Sequence, residues 1–402
     1  MNAAAHPSSR PALSRRGLLG LGAGFSLTLM GGTTAFADAA YAQRKLVVIV
    51  CRGAMDGLSV SPPIGDGEYA GLRGPIAIPS DKALPIDGHF SLHPRLVAVH
   101  SLLQGGQARI APAVAIPQRI RSHFEAQDLL ETGGEQLYAS TTGWLNRTLA
   151  SVGARRPIKG LAVGAQEPLI IQGPVQAESW SPGGKLTSQT TRVATALQEL
   201  YKHDPQLGAA LASGLATEAQ AEGLGGAAVK GGDAKAFATT AGRFLAAPEG
   251  PSIAVMSLDG FDTHAAQGAE NGQLANRLAI LDGAVDGLRA GLGDQWRSTV
   301  VVVATEFGRT ARVNGTGGTD HGTASTLILA GGALKGGGIV GDWPTLARPK
   351  LFEDRDLAPT LDIRSVFKGV LSDHLGVDRR DLDTRVFPAS ADAPPVQGLV
   401  SA

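Results

Sequence analysis

The run Thr299-Val-Val-Val-Val-Ala304 constrains this chain more than any other stretch, because its residues are β-branched or small with no polar position to alternate against. A strand with one face in water alternates apolar and polar side chains. An unbroken run therefore describes a strand covered on both faces, as in a parallel sheet between two helix layers. Lys45-Leu-Val-Val-Ile-Val-Cys51 and Ser252-Ile-Ala-Val-Met-Ser-Leu258 read the same way. Thr326-Leu-Ile-Leu-Ala330 and residues 109–116 add two more strands, and Gly160-Leu-Ala-Val163 and Pro168-Leu-Ile-Ile-Gln172 read as short ones. Helical patterns lie between them at 94–104, from Trp144 onward, at 271–292 and at 360–375. The third carries Leu274, Leu278, Leu281, Val285 and Leu288 on one stripe. The expected fold is α/β, with a central, mostly parallel sheet flanked by helices on both faces.

Ser14-Arg15-Arg16-Gly-Leu-Leu19 is a twin-arginine motif followed by a short apolar, Gly-rich run and small-residue cleavage sites at Ala35-Phe-Ala37 and Ala40-Tyr-Ala42. Residues 1–42 are read as a twin-arginine signal peptide and 43–402 as one domain, giving a periplasmic or extracellular protein. The mature chain carries no further apolar stretch long enough to span a membrane. The basic and acidic counts are equal at 36 each, with no basic tract, which speaks against a nucleic-acid partner. The one cysteine, Cys51, excludes an intramolecular disulfide framework. Residues 190–250 read as a helical insertion interrupted by a Gly-rich linker. The Pro-rich stretch after Asp56 is expected to cover the edge of a site, and the tail from Pro388 to fray. Oligomeric state has no signature in the sequence.

Strands of a parallel sheet deliver the loops after them to one edge, where open α/β folds build their sites. Here Asp56 comes after the first strand, Asp259, Asp262 and His264 after the third, and Glu306, Arg309, Asp320 and His321 after the run at 299–304. Carboxylates with one or two imidazoles suit Zn, Mn or Fe better than Mg or Ca. Asp262 and His264 share one side of an extended segment, since side chains alternate. Arg52, Arg121 and Arg309 could form bidentate contacts with a phosphate or sulfate ester. Ser122 followed by Glu125 is a capping box opening a helix, and the same serine beside two arginines could be a nucleophile at an anion site. Asp56-Gly57 is equally a turn signal.

These motifs resemble the exported bacterial family labelled domain of unknown function 1501, within the alkaline phosphatase and sulfatase superfamily. The residues that carry the resemblance are the twin-arginine signal, Arg52-Gly-Ala-Met-Asp56-Gly-Leu, Arg121-Ser-His-Phe-Glu-Ala-Gln-Asp128, Gly143-Trp-Leu-Asn-Arg147, Asp262-Thr-His264, Glu306-Phe-Gly-Arg309 and Gly318-Thr-Asp-His-Gly322. The resemblance implies an alkaline-phosphatase-like fold and a divalent metal held among Asp56, Asp262, His264, Glu306, Asp320 and His321. It also implies Ser122 near the nucleophile position, with Arg121 and Arg309 on the anion. Phe307 stands where the superfamily has a histidine, and Asp-x-His replaces a longer spacing, so the implied centre is one ion or a weak pair. The expected function is an exported metal-dependent hydrolase of small phosphate or sulfate esters. The alternative is a catalytically lapsed protein of the same fold that binds an envelope glycan or has a structural role.

Overall fold

The computed structural model describes residues 41, 43–164, 166–181, 188–201, 204–224 and 233–401; the signal-peptide assignment lies, Tyr41 aside, outside the described residues. The nine-stranded sheet consists of β1 (Lys45–Cys51), β2 (Ala108–Ala115), β3 (Gly160–Val163), β4 (Glu178–Trp180), β5 (Ile253–Leu258), β6 (Thr299–Ala304), β7 (Ser325–Ala330), β8 (Gly338–Ile339) and β9 (Leu361–Asp362). Their order is β8-β2-β7-β6-β1-β5-β3-β4, with β9 paired to β2 beyond β8. The main helices are α1 (Val97–Gln104), α2 (His123–Thr132), α3 (Trp144–Gly153), α4 (Ser188–Tyr201), α5 (Pro205–Gly223), α6 (Ala234–Ala246), α7 (Gln273–Leu292) and α8 (Ile363–Leu375).

Central strand β1 shows why the fold has two helix layers. Leu46, Val48 and Val50 pack into one core with Leu129 and Leu130 of α2, Leu145 of α3 and Val366 of α8. The alternate residues Val47, Ile49 and Cys51 pack into a second core with Leu102 of α1, Phe244 of α6 and Leu278 of α7. All seven residues of β1 are buried, as an apolar run without alternation requires. The sheet is mixed but mostly parallel, as expected. Only β7 runs against its neighbours β6 and β2, because residues 305–324 return along the same edge without a crossover helix. Pro112 sits where the β2–β7 register shifts, the irregular position a proline needs inside a sheet.

Three sequence expectations are corrected. Pro168–Gln172 is not a strand: Leu169–Ile171 forms a single 3-10 turn. Its backbone is claimed by side chains instead of a ladder, with Ile170 N donating to Glu131 Oε2 at 3.0 Å and Ile171 O accepting from Asn146 Nδ2 at 2.8 Å. The tail after Pro388 is tied down rather than frayed. Lys368 Nζ donates to the carbonyls of Ser390 and Ala393, and Ser401 N donates to Ala333 O. Ser122 occupies the N-cap of α2 with extended backbone angles, yet its side chain makes no capping bond, so the capping box does not form. Residues 225–232 of the Gly-rich linker lie outside the described residues. Among the described residues no helix is long and apolar enough to cross a membrane.

His374 on α8 is fully buried, and burial pushes its imidazole down to about 4. Its Nε2 donates to Lys45 O at 2.8 Å. Below the ordinary value of 6.5 the unfolded chain takes up a proton that the folded one refuses until about pH 4, so stability falls with acidification across that window. The expected cost is about 3 kcal/mol. Denaturant titrations at pH 7 and 4.5 should show His374→Gln, which keeps the donor, losing that much less than the wild type. Equal losses would remove His374 from the acid response.

Candidate metal centre

Parallel neighbours β5, β1 and β6 end side by side, with Cys51 opposite Leu258 and Val50 opposite Ala304, so the loops after all three share one edge. Beyond β6 the chain folds on itself as a small ladder. Gly308 N donates to Thr323 O at 2.9 Å, Gly322 N to Gly308 O at 2.8 Å, and Arg309 pairs with His321 across it. A Cβ on Gly308 would lie 1.8 Å from the Ala324 carbonyl oxygen, so this crossing requires glycine. Folded so, the segment carries His321 back toward the end of β5, where Thr263 is buried and Asp262 and His264 on either side of it face outward.

The Asp262 carboxylate is the focus. His264 Nε2 lies 3.0 Å and His321 Nε2 3.5 Å from its Oδ1, and His123 Nε2 lies 3.4 Å from its Oδ2. The His264 and His321 Nε2 atoms are 2.9 Å apart. Arg309 also donates to Oδ1. Burial works against the charged form of Asp262, but the Arg309 guanidinium, with His264 and His123, outweighs it and holds the carboxyl below its usual range.

The far side of each ring decides which nitrogen faces inward. His123 Nδ1 meets Glu306 Oε1 at 2.8 Å, and His321 Nδ1 meets the Arg121 carbonyl at 2.7 Å. A carbonyl accepts only. So does Glu306, whose burial would raise its pKa but whose bonds from His123 and the Gly53 N–H hold it down. Both Nδ1 atoms therefore carry a proton, so in the neutral form of each ring the Nε2 lone pair is the one turned toward Asp262. His264 Nδ1 faces Asp320 Oδ1 at 3.4 Å in the same sense. The His123–Glu306 bond raises the His123 pKa, whereas burial lowers that of His321. His123 Nε2 is buried and has no hydrogen-bond partner.

This donor set fits a first-row divalent ion. His123, Asp262 and His321 offer ligand atoms that all lie within 4.8 Å of one another. A four-coordinate ion with bonds of about 2.0–2.1 Å to N and O separates its ligand atoms by roughly 3.4 Å, close to the spacings here. Two imidazoles and a carboxylate, with the His264 Nε2 3.0 Å from that carboxylate, favour Zn, Mn or Fe over Mg or Ca.

The other expected site residues lie around this core. Glu306 is fully buried behind His123, and its Oε1 also accepts from Gly53 N at 2.9 Å and Ala54 N at 3.1 Å. Asp320 stands behind His264, its Oδ1 accepting from Asn314 at 3.1 Å. Asp56 has its Oδ2 on Arg73, Ser59 and Gln267. Arg309 spends its guanidinium on Asp262 and the carbonyls of Gly53, Ala54, Phe261 and Thr319. Arg121 binds Asp356 and Glu353. Arg52 binds Glu131 at 2.5 Å, and Asp259 is exposed. Ser122 is partly exposed at the start of α2, next to His123.

Sequence reasoning did not single out His123 or Arg73. His123 stacks on Phe307 with ring centroids 5.0 Å apart, so an imidazole from α2 stands beside Glu306 where the motif itself has a phenyl ring. Its signal was its place in Arg121-Ser-His-Phe, at a helix start beside an arginine. Arg73 comes from the Pro-rich stretch, which borders the site as expected: Leu72 O accepts from Val313 N at 3.1 Å. That stretch and the 310–320 loop line a cavity of about 650 Å³ that includes Glu68, Arg312, Asn314, Asp320, Arg348 and Arg355.

Comparison with known proteins gives one family. Residues 93–386 match the family described as protein of unknown function (DUF1501), so the Arg52–Leu58 motif lies outside the matched region. No curated protein matches the chain. Among solved structures it is similar to the zinc complex of the C-terminal periplasmic domain of EcEptC from Escherichia coli, at 12% identity and a TM-score of 0.38, covering 87% of each chain. A putative sulfatase from Bacteroides thetaiotaomicron is similar at 10% identity and 0.39, over 88% of this chain and 73% of that one. The alkaline phosphatase of the Antarctic bacterium TAB5 is similar at 11% identity and 0.32, over 73% and 93%. With nearly three quarters of its length matched, the chain belongs to the DUF1501 family.

Proposed function

We propose that this chain is an exported, metal-dependent hydrolase of phosphate or sulfate monoesters. The observation behind the reading is the convergence of three imidazole Nε2 atoms on one carboxylate, with each Nδ1 turned to an acceptor. His123, Asp262, His264 and His321 would hold the ion, with Glu306 and Asp320 behind them. When bound, an ion there polarises the ester and offsets its negative charge. The uncapped first turn of α2 adds open N–H groups that attract an anion, and Ser122 beside them is the candidate nucleophile. Arg309 and Arg121 act by holding Asp262 and Asp356 and, through the Arg121 carbonyl, the His321 ring.

The cavity on the Asp320 side lies within the roughly 300–1,000 Å³ usual for ligand sites. Its lining offers guanidinium donors and carboxylate acceptors and no aromatic ring, which suits a hydroxylated leaving group such as a saccharide better than an aryl group. The twin-arginine motif supports export of 43–402 to the periplasm or beyond, already folded.

Elemental analysis of protein purified without chelator or affinity metal, from a host exporting it by its own signal, tests the reading. About one equivalent of Zn, Mn or Fe is expected, with phosphate or sulfate ester hydrolysis lost on chelation and restored by that ion. A folded protein that holds and takes up no ion would overturn the reading and leave the envelope-binding alternative.

A further inference from the structure

Gln267 is fully buried between the two segments that carry the candidate ligands. Its Oε1 accepts from the Thr263 hydroxyl at 2.9 Å and the Thr319 hydroxyl at 2.8 Å. Its Nε2 donates to Asp56 Oδ2 at 2.7 Å and to Ser59 Oγ at 3.2 Å. All four hydrogen-bonding positions of the amide are filled. Its orientation is set by chemistry, since a flipped amide would put its oxygen against the Asp56 carboxylate.

Each partner sits at an informative place. Thr263 lies between Asp262 and His264, and Thr319 directly precedes Asp320 and His321. The two threonines are also joined through the backbone, Thr319 N donating to Thr263 O at 3.1 Å. Asp56 in turn is held by the buried Arg73, which also donates to Ser59 Oγ at 3.0 Å and to Thr310 O at 3.2 Å. Asp56 thus reaches the centre through a side-chain amide, and its buried charge is matched inside the protein by a guanidinium.

We propose that Gln267, anchored by the Asp56–Arg73 ion pair, is a positioning residue that locks the Asp262–His264 segment to the Asp320–His321 segment and so sets the spacing of the metal-binding atoms. The inference rests on the metal-centre reading. Side chains one bond removed from the ligands usually change metal affinity by about 10–100-fold when they are lost. An amide bonded at all four of its positions also fixes one geometry better than its separate bonds would.

The test uses metal-stripped mature protein and two readouts: Co²⁺ affinity by chelator competition, and hydrogen exchange at the Thr319 amide. Gln267→Leu should weaken Co²⁺ binding by about 10–100-fold. It should also speed Thr319 exchange at least tenfold while protection in β1 and β6 is unchanged. Thr263→Val, which keeps the shape and removes one donor, should move both readouts the same way, and Thr263→Ser should return both to wild-type values. If Gln267→Leu fails to fold, the Thr263 pair carries the comparison. Binding within threefold of wild type in Gln267→Leu and Thr263→Val, with Thr319 protection intact, would overturn the proposal. A wild-type protein that takes up no ion would sink the hydrolase reading, and the exchange arm alone would then decide whether Gln267 locks the segments.

Discussion

Replacing His123 with alanine lowers the affinity for a first-row divalent ion by at least about 100-fold, more than loss of an outer partner usually costs. It removes the buried Nε2 that faces Asp262 without a hydrogen-bond partner. Ester hydrolysis, where assayed, falls with it. The fold should tolerate the change, because His123 sits in the first turn of α2 at a partly exposed position and its ring carries little of the core. Glu306→Gln should weaken binding less, by about 10–100-fold, since an amide can still accept from Nδ1 but no longer supplies a charge. Calorimetric titration of the stripped proteins with Zn²⁺ orders the three. A His123→Ala protein that binds zinc as tightly as the wild type would exclude His123 from the centre and return attention to the other carboxylates, Asp56, Glu306 and Asp320.

Arg309→Lys should be the most destabilising conservative change at the site. The guanidinium is fully buried and joins the end of β1, the end of β5 and the 319–321 segment through the carbonyls of Ala54 at 2.8 Å, Gly53 at 2.7 Å and Thr319 at 3.0 Å, besides Asp262. One ammonium cannot reach these diverging acceptors, and a fork cannot be replaced by a point charge. Each buried carbonyl left bare costs about 1–3 kcal/mol, so a total of about 3 kcal/mol or more is expected. That corresponds to a melting temperature lower by roughly 4 °C or more. Scanning calorimetry of the metal-stripped proteins isolates the effect from ion binding. A melting point within a degree of wild type would mean that the three segments are held together without Arg309. They would then not need it for their spacing.

The sheet was legible because its evidence is local. Runs such as Thr299-Val-Val-Val-Val-Ala304 have no polar side, so they can only lie between two apolar layers, and the residues just beyond them must reach one edge. Asp262 and His264 were legible as a pair for the same reason, since extended backbone alternates its side chains and the buried Thr263 takes the inward position. The 3-10 turn at Leu169–Ile171 was not, because its apolar residues fit a strand and the outcome depended on Glu131 of α2 and Asn146 of α3 claiming its backbone.

By itself, then, the sequence determined the fold class, the edge at which the chemistry gathers and most of the residue types there. Only the tertiary structure decided which group faces which. The Asp56 carboxylate is met by a guanidinium from the Pro-rich stretch, and Arg309 faces inward to carbonyls and Asp262. An imidazole from the start of α2 completes a set that Phe307 leaves open in its own motif. These pairings join residues between 17 and 256 positions apart, and their partners are chosen by burial: a charge that leaves water must find its counterpart wherever packing brings one.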